Sequence, residues 1–313
     1  MSDCRLSFLG GTPLRFKLWE IGRSGGNMRI VGTLLGALCV VQSVTVSAET
    51  QPTCPRPDAL GVSRVVEIDA SGGPRFGAPH GDRNLLASRE VVLTFDDGPM
   101  PRSTQPILAA LAAQCTKATF FMIGEMAAEH PEVVREVAEQ GHTIGTHTWS
   151  HLNLKRLSDD KMKVQIEAAF MAVEKAAGVP IAPFFRHPYL ISSDATIAYL
   201  KSRNIAQFAI DIDSFDWRKR NAPSVVRRVM SALEQRGRGI ILLHDIHPST
   251  ATAVPELLVQ IKAKGFRVVH LRPAAPVQTI AGYEPPTKDS IHSTHHVRAH
   301  VRRTPSPPKW LFW

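Results

Sequence analysis

The sequence has few cysteines and no long uninterrupted apolar segment. Four cysteines in 313 residues are too few for a disulfide scaffold of the kind that stabilises small secreted domains. An apolar run of 12 residues, 30–41, is interrupted only by Thr33, and it is shorter than the about 20 residues that a transmembrane helix needs. Long blocks of like charge are absent too, because the charged residues, 21% of the chain, are well mixed, which excludes a coiled coil or a polyelectrolyte.

The composition is that of a folded protein with a moderate positive charge. Apolar residues make up 43% of the chain, which excludes wholesale disorder, and the length allows one large domain or two small ones. The formal net charge is +9, from 37 Lys and Arg against 28 Asp and Glu. A basic surface favours acidic polymers or membranes, but a soluble protein with a basic tail accounts for the same charge. We expect a monomer. We therefore expect neither a nucleic-acid partner nor a stable membrane span.

The first 48 residues have the pattern of an export signal. Arg29 precedes the apolar run 30–41, and small residues end the segment at Ala48, as in a secretory signal peptide. We expect Met28 to be the true start, cleavage after Ala48, and a secreted or periplasmic protein. A retained membrane anchor is the alternative. The remaining cysteines, Cys54 and Cys115, could pair in an oxidising compartment, but the sequence leaves the pairing open.

The rest of the chain divides into three parts by composition. Residues 49–89 are predicted to form an N-terminal extension rich in Pro, Gly and Asp, and residues 273–313 a disordered tail rich in Pro, His and Arg. Between them, 90–272, strand and helix patterns alternate about seven times, which predicts parallel strands with crossover helices. We therefore predict an α/β fold, a distorted (β/α)7-type barrel. The strands are predicted at 62–68, 91–95, 118–123, 143–145, 183–185, 205–212, 240–243 and 268–271. The main helices are predicted at 105–113, 125–140, 194–202, 224–235 and 253–264, and Ser158 is predicted to cap a further long helix whose apolar positions run from 162 to 177.

Titratable residues follow five of the predicted strands, at the ends where parallel barrels carry their chemistry. An acidic pair, Asp96 and Asp97, comes first, and adjacent carboxylates need a compensating cation or proton. His147 and His151 are four residues apart, and we expect them on one face of a helical turn, within reach of one metal ion. Two histidines and one aspartate leave an open position on a metal, as catalytic sites do. The other clusters are Arg186 to Tyr189, Asp213 to Trp217, and Leu242 to Asp245. Taken singly, each cluster could be an ordinary turn, a surface pair or a core histidine.

In these motifs the sequence resembles the polysaccharide deacetylases of the NodB-homology family, carbohydrate esterase family 4, over about 90–272. The resemblance implies the distorted barrel and a divalent metal, usually zinc, with cobalt or manganese as alternatives. It implies removal of acetyl groups from N-acetylglucosamine glycans, either chitooligosaccharide, as in nodulation-factor synthesis, or peptidoglycan. Acetylated xylan is the alternative substrate within the family.

The resemblance also implies a role for each matching residue. Asp97, His147 and His151 would hold the metal. Asp96 would be the general base, oriented by Arg186, and His244 the general acid, tuned by Asp216. The backbone N–H of Tyr189 would bind the oxyanion, and Trp217 and Leu242 would line the acetyl pocket.

One motif departs from the family pattern, and two other function classes stay open. Leu190 stands where the family usually has Gly after the Tyr, and His187 lies inside the same motif, so the loop beside the oxyanion site is expected to differ in shape. The first alternative is a non-catalytic glycan-binding barrel. The second is a phosphoesterase or amidase, which would usually carry two metals about 3.5–4 Å apart.

Overall fold

The computed structural model describes Cys54 and residues 56–80, 85–218 and 220–283. The predicted signal peptide and residues 284–313 of the predicted tail lie outside these residues. In the described part of that tail, Val277 N–H donates to Ile181 O (2.9 Å). The strands are β1 (Arg64–Ile68), β2 (Arg75–Phe76), β3 (Glu90–Asp96), β4 (Thr119–Met122), β5 (Thr143–Thr146), β6 (Phe184–Phe185), β7 (Ala206–Phe208), β8 (Ile212–Asp213), β9 (Gly239–His244) and β10 (Arg267–Pro273). The helices are α1 (Pro101–Ala113), α2 (Gly124–Glu129), α3 (Pro131–Glu139), α4 (Asp159–Ala177), α5 (Asp194–Ser202), α6 (Ala222–Arg236) and α7 (Pro248–Ala263), with short 3-10 turns at Ala78–His80, Leu154–Arg156 and Pro188–Leu190.

All ladders among the described strands are parallel, which confirms the predicted α/β class. The strands lie in the order β2-β7-β6-β5-β4-β3-β9-β8, with β10 beside β3 and β1 beside β10. The ladders of the described residues do not close into a ring. However, the chain passes from β7, near one end of the array, to β8, at the other end, through only three residues. Three linking residues span at most about 14 Å, so the array is rolled.

The two faces of the rolled sheet are set by the alternation of side chains along each strand. Every residue of β3 is buried, and Val91, Leu93 and Phe95 pack in the larger apolar cluster with residues of the surrounding helices. Val92 packs instead in a second cluster with residues such as Phe121, Phe184 and Ile240. The first face is the helix-covered outer face, and the second is the inner face.

This alternation decides which polar residues face inwards. Asp96 follows Val92 by four residues and therefore shares its inner face. His244 follows Ile240 by four residues on β9, and the strand register pairs Asp96 with His244. Arg186 comes two residues after the inner-face Phe184. Three charged or titratable side chains are thus directed to one end of the sheet interior.

Two predicted elements are each divided in the structure. The helix predicted at 125–140 is α2 and α3, separated at His130, because the residue before a proline is disfavoured in the helical region and Pro131 begins α3. The strand predicted at 205–212 is β7 and β8, because the chain changes partners: Ala209 N–H donates to Phe76 O (2.8 Å), whereas Asp211 N–H donates to Ile240 O (2.9 Å). Ser158 precedes α4 as predicted, but its side chain makes no capping hydrogen bond.

The segment before β1 is tied to the end of α1. Cys54 and Cys115 form a disulfide with a Cα–Cα distance of 5.7 Å, which resolves the pairing that the sequence left open. Gly61 N–H donates to Gln114 O (2.8 Å) beside it. None of the helices that the structure describes combines the length and the apolar character of a membrane span.

Two buried histidines lie away from the acidic pair and affect stability. His142 Nδ1 accepts a hydrogen bond from Ala118 N–H (3.2 Å), and His270 Nε2 lies 2.9 Å from Thr143 Oγ1. Burial is the main cause that lowers the pKa of His142 to about 3 and that of His270 to about 4. The unfolded chain, with histidine pKa values near 6.5, therefore binds more protons than the folded chain between about pH 4 and 6.5.

The free energy of unfolding should fall as the pH drops through that window, by up to about 1.4 kcal/mol per pH unit for each such histidine. Replacing His142 with Asn keeps an acceptor for Ala118 N–H and removes one titrating group, so the slope should decrease by about one proton. Urea unfolding at several pH values between 4.5 and 7 measures it. Val259→Ala, at an exposed position on α7, removes no titrating group and serves as the control, which should leave the slope unchanged. An unaltered slope in His142→Asn would contradict this explanation.

Candidate metal centre and active site

The acidic pair lies in a tight turn at the carboxyl end of β3. Asp96 is the last residue of the strand, and Asp97 has a left-handed backbone with φ 75°, so the second carboxylate is turned over the strand end. The turn continues through a cis Gly98–Pro99 bond. Asp245, which follows β9, anchors it: its Oδ1 accepts from Gly98 N–H (3.0 Å), and its Oδ2 accepts from Thr104 Oγ1 (2.7 Å).

The two histidines follow β5 in an irregular loop rather than a helical turn. The prediction of a helical turn is wrong, because Thr148 and His151 both have left-handed backbones, with φ 72° and 54°. The loop is closed by a hydrogen bond from His151 N–H to Thr148 Oγ1 (3.0 Å). Left-handed residues reverse the chain within a few positions, and the imidazole rings come to lie with centroids 4.9 Å apart. The pair therefore converges, but through loop geometry.

Asp97, His147 and His151 form a group whose candidate ligand atoms all lie within 4.8 Å of one another. Asp97 Oδ1 is 3.6 Å from His147 Nε2 and 3.5 Å from His151 Nε2. It is buried and has no hydrogen-bond partner among the described residues, and such an unpaired oxygen is costly to bury. Metal–ligand bonds of about 2.0–2.2 Å in a tetrahedral arrangement separate ligand atoms by about 3.4 Å. The three side chains therefore fit a divalent cation.

The protonation state of the histidines matches that of metal ligands. His147 Nδ1 lies 2.7 Å from Arg186 O; a carbonyl only accepts, so Nδ1 carries the proton and Nε2 presents its lone pair towards Asp97. Burial lowers the pKa of His147 well below the usual value, and it lowers that of His151 as well. Both rings are thus kept in the neutral form that binds metal.

Asp96 lies beside this group and is held by a buried arginine. Its Oδ1 accepts from Arg186 Nη1 (2.6 Å), and its Oδ2 is 3.9 Å from His147 Nε2. Arg186 is fully buried and also donates to Thr94 Oγ1 (2.8 Å) and Phe208 O (3.2 Å). Burial raises the pKa of Asp96 to about 6, against the opposing charge of Arg186. One carboxylate oxygen is engaged, and the other is free for proton transfer.

On the neighbouring strand, His244 is paired with a buried carboxylate. His244 Nδ1 lies 2.7 Å from Asp216 Oδ1, and Asp216 Oδ2 accepts from His244 N–H (2.8 Å) and Thr250 Oγ1 (2.7 Å). Burial alone would lower the pKa of His244, but Asp216 and the acidic pair raise it to about 10. Burial works against ionisation of Asp216 also, and the charge of His244 outweighs it, so that the pKa of Asp216 falls to about 2. The two form an imidazolium–carboxylate pair.

The structure gives only a position or a single ring contact for each of the three remaining predicted site residues. The Tyr189 ring contacts His151 edge-on at 4.6 Å, and the side chain is 51% exposed. Leu242 is on the inner face of β9, two residues before His244. The Trp217 ring lies 6.0 Å from that of Phe215. The acetyl pocket and the oxyanion donor therefore stay predictions.

The loop that contains Tyr189 has two consecutive residues in an unusual backbone conformation. Tyr189 and Leu190 are both left-handed, with φ 58° and 57°. A left-handed backbone favours Gly and costs other residues about 1 kcal/mol or more. Leu190 thus adopts the conformation for which the family's usual Gly is suited, and its 41% exposed side chain projects where Gly would have none.

Asp245 was given no role from the sequence alone. The structure places it under the acidic turn, and burial raises its pKa to about 7. Its position directly after His244, at a strand end, was the available signal. His247 is the residue immediately before α7 and is buried, with its ring 6.0 Å from that of His244.

The sequence matches known proteins over the part that carries these residues. A family model described as polysaccharide deacetylase matches residues 84–208, which include Asp96, Asp97, His147, His151 and Arg186. A chitooligosaccharide deacetylase of Sinorhizobium fredii is 31% identical over 197 residues, which are 59% of this chain and 91% of the relative. The chain belongs to the polysaccharide deacetylase family.

Other members of the polysaccharide deacetylase family are similar in sequence and structure. A peptidoglycan N-acetylmuramic acid deacetylase of Bacillus subtilis is 35% identical over 180 residues, 57% of this chain. This chain spans only 37% of that relative's length. Among solved structures, a peptidoglycan deacetylase of Bdellovibrio bacteriovorus superposes with a TM-score of 0.64 and 34% identity, covering 71% of this chain and 62% of its own.

Proposed function

We propose that the protein is a metal-dependent hydrolase that removes N-acetyl groups from glycans containing N-acetylglucosamine. The observation that carries the proposal is the unpaired, buried Asp97 Oδ1 between two neutral imidazoles, with the Asp96 carboxylate beside them. Asp97, His147 and His151 would hold the cation, for which zinc is the first choice because it favours nitrogen and oxygen ligands with one open position. When bound, the cation supplies Lewis acidity, which lowers the pKa of a water molecule and polarises a carbonyl group.

Asp96 is the general base in this proposal. Its Oδ2 faces the metal-binding group, while Arg186 holds Oδ1 and keeps the carboxylate oriented. A pKa near 6 leaves the group ionised at neutral pH and able to accept a proton from the attacking water. Arg186 is a positioning residue, because it acts on the reaction through Asp96.

His244 is the general acid. The amine that leaves from an amide must be protonated, and Asp216 keeps the imidazole in its charged form at neutral pH. Asp216 holds His244 at Nδ1 and at the backbone N–H, and Thr250 in turn donates to Asp216. Nε2 is therefore the atom that delivers the proton. The Tyr189 N–H would bind the developing oxyanion, and Trp217 and Leu242 would enclose the acetyl methyl group.

Export is part of the proposal. A disulfide between Cys54 and Cys115 is typical of proteins that fold in oxidising compartments, which supports a secreted or periplasmic location with cleavage after Ala48. We also propose that 90–272 is the deacetylase domain and that the protein acts as a monomer on an acetylated glycan.

Acetate release tests the proposed reaction. Zinc-loaded protein is incubated in parallel with chitooligosaccharides, peptidoglycan and acetylxylan, with and without chelator. We expect acetate from at least one N-acetylglucosamine glycan, loss of activity with chelator, and recovery when zinc is added. Release of acetate from acetylxylan alone would indicate an O-acetyl esterase instead of the proposed N-deacetylase. No release from any glycan would overturn the proposal and favour a glycan-binding barrel, and a metal-to-protein ratio near two would favour the phosphoesterase class.

A further inference from the structure

A cavity with a strongly basic lining lies beside the loop that joins β8 to α6. Its volume is about 570 Å³, within the range of pockets that bind small ligands or parts of larger ones. It is lined by Ser214, Phe215, Arg218, Ser224, Arg227 and Arg228. Three of the six lining residues are arginines, and none is acidic.

The three guanidinium groups have no acidic partner in the part of the chain that the structure describes. None of them lies within 4.0 Å of a carboxylate there, although Arg203, Arg236 and other arginines are paired in this way. The charge of this pocket is therefore not neutralised by the protein's own described side chains. A ligand that is purely a hydrogen-bond acceptor and carries negative charge is the chemical complement of such a lining.

Two of the arginines are held in position. Arg228 lies over the ring of Phe215, with its guanidinium carbon 4.7 Å from the ring centroid, and its Nε donates to Asp213 O (3.4 Å). Arg227 donates to Ser224 Oγ (3.2 Å). Both contacts leave guanidinium N–H groups available, and they reduce the entropy that would be lost when a ligand binds.

The pocket shares its wall with the catalytic loop. Ser214 Oγ accepts from Asp216 N–H (3.3 Å), and Asp216 holds His244. Phe215 has a left-handed backbone, φ 52°, and its ring lies 6.0 Å from that of Trp217. Residues 214–217 therefore line the basic pocket at one end and reach the acid–base pair at the other. Because both lie on this one loop, the pocket is a candidate site for the more distant sugars of a glycan bound at the active site.

We propose that the pocket binds a carboxylate of the substrate, and that the preferred substrate is an acidic acetylated glycan. The inference rests on the proposed deacetylase function and narrows its substrate class. Peptidoglycan strands carry such carboxylates on their lactyl ethers and peptides, whereas chitooligosaccharides are neutral. The three arginines thus favour the acidic polymer, through contacts that the neutral one cannot make.

The pocket is tested by measuring ligand binding to a variant that does not turn over substrate. The Asp96→Asn protein, loaded with zinc, is titrated with soluble peptidoglycan fragments and with chitopentaose. The same titrations are done with a double variant, which carries Arg227→Gln and Arg228→Gln in the Asp96→Asn background. We expect the dissociation constant of the acidic fragments to rise about tenfold, since two exposed ion pairs are worth about 0.7 kcal/mol each. That of chitopentaose should stay within about twofold. Added salt should weaken only the acidic ligand.

The controls separate this inference from the proposed function. Arg135→Gln, an exposed arginine on α3, should change neither constant, and Arg227→Lys should retain part of the preference. If the double variant changed the dissociation constants of both ligands equally, or of neither, the proposal that this pocket binds a substrate carboxylate would be overturned. Acetate release by the unmutated protein tests the reaction independently. If no acetate were released but acidic fragments still bound more tightly than chitopentaose, the deacetylase function would be rejected and the anion-binding pocket would be retained.

Discussion

Asparagine in place of Asp96 should leave the zinc content unchanged and lower the rate of acetate release by about 10²- to 10⁴-fold, the usual contribution of one general base. The amide cannot accept the proton of the attacking water. The substitution alters none of the three side chains that form the metal group, since Asp96 is not one of them. The measurement is kcat with chitooligosaccharide or peptidoglycan, together with the zinc content of the same sample.

The pH profile and a matched variant sharpen this test. In the unmutated protein the rate should rise as Asp96 loses its proton, from a pKa of about 6, and it should fall as His244 loses its proton at high pH. The Asp96 variant should lose the rise at low pH. Asp211→Asn removes a carboxylate that pairs with Arg236 at another strand end, and it should retain nearly full activity. A variant of Asp96 that keeps its rate would remove this residue from the role of base.

Asparagine in place of His151 should weaken zinc binding by at least about 100-fold and abolish activity at low zinc. Loss of a residue that only supports a metal ligand already costs about 10- to 100-fold in affinity, and His151 offers a ligand atom itself. Asparagine tolerates the left-handed backbone found at this position, so the loop should keep its course. Competition with a chromogenic chelator measures the affinity.

The same substitution at a remote histidine is the control. His130→Asn, between α2 and α3, should bind zinc as the unmutated protein does. High zinc should partly restore the activity of His151→Asn if the defect is occupancy. Unchanged zinc affinity in His151→Asn would show that the cation is held elsewhere in the chain.

The sequence predicted the chemistry of the site better than its local backbone. The acidic pair, the histidines, Arg186 and the Asp216–His244 pair follow buried strands, and parallel strands bring their carboxyl ends to one edge. Alternation along β3 and β9 then fixes which side chains face inwards, and this rule needs no tertiary information. The convergence of these residues was therefore predictable.

Conformations that depend on a single unusual residue were not predictable in this way. The spacing of His147 and His151 suits a helix, but two left-handed residues make it a loop. The division of the strand predicted at 205–212 depends on a change of hydrogen-bond partner from Phe76 to Ile240, which only the assembled sheet supplies. Asp245 was overlooked for a similar reason, because its partners, Gly98 and Thr104, are distant in the sequence.

A crystal grown with zinc and measured at the zinc absorption edge tests the central claim most directly. We expect one strong anomalous peak per chain, with Asp97, His147 and His151 as ligands at about 2.0–2.2 Å and with the Asp96 carboxylate beside the ion. A peak bound by other residues, or these three side chains turned away from one another around an empty space, would contradict the account.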